Sequence, residues 1–72
     1  MALSQERYAK IDDELKRASA YFERLAAEVD AGPDAGALRV VWAKARAITA
    51  QVEELRWTLA REAAFGQIPY HQ

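Results

Sequence analysis

The chain has no cysteine and only one histidine, His71, beside its C-terminus. Without thiols neither a disulfide nor a thiolate metal site can form. With its single histidine in the tail, it also offers no Ser/His/Asp or Cys/His arrangement for nucleophilic catalysis. Glycine and proline are almost as scarce, at three and two in 72 residues. They fall in two places only, Gly32-Pro33 with Gly36 and Gly66 with Pro69. No stretch approaches the ~20 consecutive apolar residues of a membrane-spanning helix. No basic segment followed by an apolar run opens the chain, so nothing resembles a signal peptide. A cytoplasmic location is therefore the expectation.

Charge of one sign is also missing. Ten basic and eleven acidic residues leave a net charge of −1, which gives no steering toward nucleic acid or anionic membrane. The acids come as Asp12-Asp13-Glu14 and Glu53-Glu54. Adjacent residues on a helix point in different directions, so these are not convergent acid–base or metal-binding pairs. The expectation is a protein that is not an enzyme and holds neither a cofactor nor a metal.

What remains is a helical pattern with few interruptions. Ser4 is a suitable N-cap, and Glu6 in the following turn suits the positive end of a helix dipole. A first helix is expected over about residues 4–31, with Gly32 as its C′ residue and Pro33 blocking continuation. A turn over residues 32–34 leads to a second helix over about residues 35–65, with Asp34 as N-cap. Gly66 is expected to close it, leaving a short tail over residues 66–72. Two long helices with a short connection favour an antiparallel hairpin, so the expected fold is all-α and the chain a single helical-hairpin domain.

Both helices carry an apolar stripe at alternating steps of three and four. In helix 1 it is Tyr8, Ile11, Leu15, Ala18, Phe22, Leu25 and Val29; in helix 2 it is Leu38, Val41, Ala45, Ile48, Val52, Leu55 and Leu59. Such spacing over three heptads marks the seam of a coiled coil or narrow helical bundle. A chain this short buries little surface alone. The stripes therefore predict association into a four-helix bundle, as a homodimer or higher oligomer.

The outer faces differ. Helix 1 is polar outside, with acid–base pairs four residues apart at Glu6–Lys10, Asp12–Lys16 and Asp13–Arg17. Helix 2 is apolar on a second side, which normally means burial on a second side. The candidate partner or oligomer interface comprises Val40, Trp42, Ala43, Ala47, Ala50, Trp57 and Arg61. Arginines four residues beyond each tryptophan, Arg46 and Arg61, can shield the rings. The reading is an interaction module acting through self-association and protein contacts on helix 2. The alternative is a small nucleic-acid-binding bundle. It would use Lys10, Arg17 and Arg24, a row of cations at the helical repeat that can track phosphates.

Overall fold

The computed structural model describes residues 3–67, with side chains through Phe65. Residues 68–72 of the expected tail, Pro69 and His71 among them, lie outside the described residues. Two helices are present and no strand among the described residues: α1, Gln5–Ala31, and α2, Arg39–Gln67. They pack against each other as an antiparallel hairpin, in which Asp12 meets Arg56 and Ser19 meets Glu53. The Cα radius of gyration is 16.7 Å. A globular domain of this length has about 11 Å, so this is a long, narrow body one helix layer thick.

The start of α1 follows local chemistry. Ser4 is extended at φ −72°, ψ 154°, and its hydroxyl oxygen accepts from the Arg7 amide at 3.1 Å. The far end closes at Gly32, as the sequence predicts. Gly32 is extended at φ −81°, ψ 162°, not left-handed. Pro33 supplies the reason, because its ring forces the preceding residue into the β or polyproline region. The Gly32 amide still closes the helix by donating to the Val29 carbonyl at 3.2 Å.

The connection is longer than the expected three-residue turn, and α2 begins at Arg39, not near residue 35. Residues 32–38 form successive turns: Ala35 donates to the Gly32 carbonyl, and Leu38 donates to the carbonyls of both Asp34 and Ala35. Asp34 thus opens one helical turn that reverses before α2 takes over. Leu38 then accepts from the Trp42 amide at 2.9 Å. At the other end α2 runs through Gly66 to Gln67, so Gly66 does not terminate it at Phe65.

The larger correction concerns which residues meet. Those buried are small: Ser19 and Ala26 on α1, Ala45, Thr49 and Ala63 on α2. Val41 and Leu55, expected in the seam, are 45% and 52% exposed. The rest of both stripes, Ala45 apart, is only half-buried. Short side chains let two helix axes approach closely, and that approach rotates the bulkier ones outward. At about 100° per residue, the buried line on α1 sits about 60° round from the three-four stripe. On α2 the offset is about 45° in the same rotational sense. In an antiparallel pair the same sense means the same side. Both apolar stripes therefore lean toward one broad side of the hairpin.

Candidate interaction surface

The two broad sides have opposite chemistry. One carries a chain of polar side chains that joins the helices. Arg56 donates through Nε to Asp12 Oδ1 at 3.0 Å and through Nη2 to Asp12 Oδ2 at 3.4 Å. Its Nη1 reaches Glu53 Oε1 at 3.4 Å, and the Ser19 hydroxyl donates to Glu53 Oε2 at 2.8 Å. Lys16 approaches Asp12 from the next turn at 3.9 Å. Asp12 has only 16% of its side chain exposed. The Arg56 hydrogen bonds hold its carboxyl below the ordinary aspartate range, against the opposing effect of partial burial. The same contact raises Arg56 above its already high value. A planar guanidinium held in two places by one carboxylate fixes geometry as well as charge.

This bridge escaped the sequence reading. The spacing predicts a pair between Asp12 and Lys16 within α1 and gives no partner on α2. A signal existed: Asp12, Ser19 and Ala26 are spaced by seven, as are Trp42, Thr49, Arg56 and Ala63. Each set forms a second column beside the apolar stripe. In an antiparallel pair these two columns face each other.

The bridge also bounds the chemistry available. A cleft of about 290 Å³ lies beside it, lined by Tyr8, Asp12, Glu53, Arg56, Trp57 and Ala60. Both of its carboxylates are engaged by Arg56, so neither is an unpartnered base. Among the described residues no three of His, Cys, Asp or Glu cluster as a metal site.

The opposite broad side is apolar. Along it run Ile11, Ala18 and Leu25 of α1 and Val41, Ile48 and Leu55 of α2, none of them buried. Tyr21 stands at its edge, 52% exposed, in edge-to-face contact with Phe22 at 5.0 Å.

The residues expected to form the partner interface are all exposed. Trp57 is 71% exposed and Val40 66%. Val40, Ala43, Ala47, Ala50, Trp57 and Arg61 share an arc of about 100° on the outer surface of α2. Glu54 shares that arc. Trp42 does not: it is rotated toward α1, 39% exposed, with the Arg46 guanidinium 6.0 Å from its ring. Arg61 makes no corresponding contact with Trp57. An open depression of about 790 Å³ lies at the turn end of this surface, between Val29, Ala35, Val40, Trp42 and Ala47.

Lys10, Arg17 and Arg24 are exposed on the outside of α1. Arg17 is held by Asp13 at 2.9 Å, as the sequence predicts. The expected Glu6–Lys10 pair is not formed. Nor does Arg39 form an ion pair among the described residues. No described helix is long and apolar enough to cross a membrane. Compared with known proteins, the chain matches no family, no curated sequence and no solved structure.

Proposed function

We propose that the chain is a non-enzymatic helical interaction module, a small adaptor, regulator or accessory subunit. It acts by self-association and by protein contacts on the outer surface of α2. The observation that carries this reading is the distribution of size over burial. The buried residues are three alanines, a serine and a threonine, while Trp57, Val40, Leu55 and Val41 stand in water. Covering one large apolar side chain is worth about 1.5–3 kcal/mol. A short chain that leaves several uncovered gains its remaining stability from a second molecule.

Sedimentation equilibrium at micromolar concentration tests the reading. The expected result is a mass above that of one chain, with helix content that falls on dilution. A well-folded monomer of 8.1 kDa throughout the range rules out obligate self-assembly.

A further inference from the structure

We propose that a second copy of the chain covers the broad side bearing Ile11, Ala18 and Leu25 with Val41, Ile48 and Leu55. It would lie antiparallel about a two-fold axis that crosses α1 at Ala18 and α2 between Ile48 and Leu55. The proposal rests on the self-association reading and adds to it a face, an orientation and a register.

Three observations converge on this occupant. The first is area. Two adjacent helices, each about 10 Å wide and overlapping for about 40 Å, present about 800 Å². That is the area per partner of a standard stable interface, about 800 Å².

The second is self-complementarity on α1. A two-fold contact must pair a surface with itself, so residues equidistant from the axis meet. About Ala18, Ile11 of one copy meets Leu25 of the other, apolar on apolar, and two small Ala18 side chains meet at the axis. One residue off that exact register, Arg7 approaches Glu28 of the second copy and Glu14 approaches Tyr21. Neither Arg7 nor Glu28 has an ion-pair partner within its own chain among the described residues.

The third is that α2 requires the same axis independently. Ile48 meets Leu55 of the second copy, about a centre between residues 51 and 52. Across the hairpin Ser19 bonds Glu53 and Asp12 bonds Arg56, an antiparallel register that sets residue 18 of α1 level with residues 50–54 of α2 and so with that centre. One axis therefore satisfies the apolar pairs of both helices.

The absence of cysteine makes the test direct. Ala18→Cys, a conservative change at the axis, is expected to form a covalent dimer under mild oxidation or with a short bismaleimide. An equimolar mixture of Ile11→Cys and Leu25→Cys chains is expected to form the mixed dimer. Both should link at least about tenfold faster than Trp57→Cys, on a surface the proposal leaves uncovered. A dimer by sedimentation in which Ala18→Cys links no faster than Trp57→Cys overturns the proposed face and leaves self-association standing. A monomer by sedimentation, with no linking at any position, overturns both.

Discussion

The two broad sides of this hairpin are built by the same two helices and differ by one column of residues on each. The polar side is complete within the chain: Asp12, Arg56, Glu53 and Ser19 satisfy one another, and no described buried polar side-chain atom lacks a hydrogen-bond partner. The apolar side is incomplete, because every large residue on it retains contact with water. The contrast teaches where a two-helix unit places its specificity and where it places its need. Directional bonds set the pairing of α1 with α2. The non-directional hydrophobic demand is turned outward, where the large stripe residues remain half-buried or exposed.

The contrast breaks most visibly if a charge is put on the apolar side. Leu25→Asp should weaken self-association at least about a hundredfold, from lost apolar burial and a desolvated carboxylate. Lys16→Asp, on the polar side, should leave the association constant within about threefold. Analytical ultracentrifugation of both variants reads the difference, and equal effects would abolish the distinction between the sides. Next in size is the line between them. Ala26→Leu forces a bulky side chain into the closest approach of the helices and should cost about 1–3 kcal/mol in denaturant unfolding. A smaller effect sharpens the account of the polar side. Asp12 titrates below its unfolded value near 3.9, so its pairing with Arg56 contributes fully above about pH 4. That contribution is lost as pH falls through the lower folded value. Arg56→Leu should therefore lower the thermal midpoint at pH 7 more than at pH 2. The smallest change lies in the connection. Gly36 has no positive φ, and an added Cβ meets nothing within 4 Å. Gly36→Ala should stabilise by about 0.4–1 kcal/mol by restricting the unfolded chain.

Much of the hairpin was legible in the residues. Ser4, the scarcity of breakers and the three-four spacing define α1 closely, because capping and periodicity are local effects. Gly32 ends α1 where the sequence places the stop, and the proline after it dictates an extended residue there. The rotational phase of α2 was harder to read. Val41 and Leu55 are the stronger apolar signal, yet Ala45, Thr49 and Ala63 occupy the contact. Periodicity identifies which faces want burial. Side-chain size decides which neighbour each face receives, and that is settled only when two helices approach. The candidate interface on α2 is legible as composition, and Trp42 borders the contact with α1 at its margin.

The bridge between Asp12 and Arg56 has a further consequence, for the order in which the molecule forms. The turn bonds around Asp34 and Leu38 close over three or four residues, while Asp12 and Arg56 are separated by 44 positions. Closing that loop directly costs about 1.6 kcal/mol more entropy than closing the seven-residue connection. Pairing that spreads from the turn avoids most of this cost, since each layer brings the next into reach. The bridge then forms among the last contacts and opens among the first. It stands near the open mouth of the hairpin as a latch, and the lifetime of the closed state is governed there rather than at the turn.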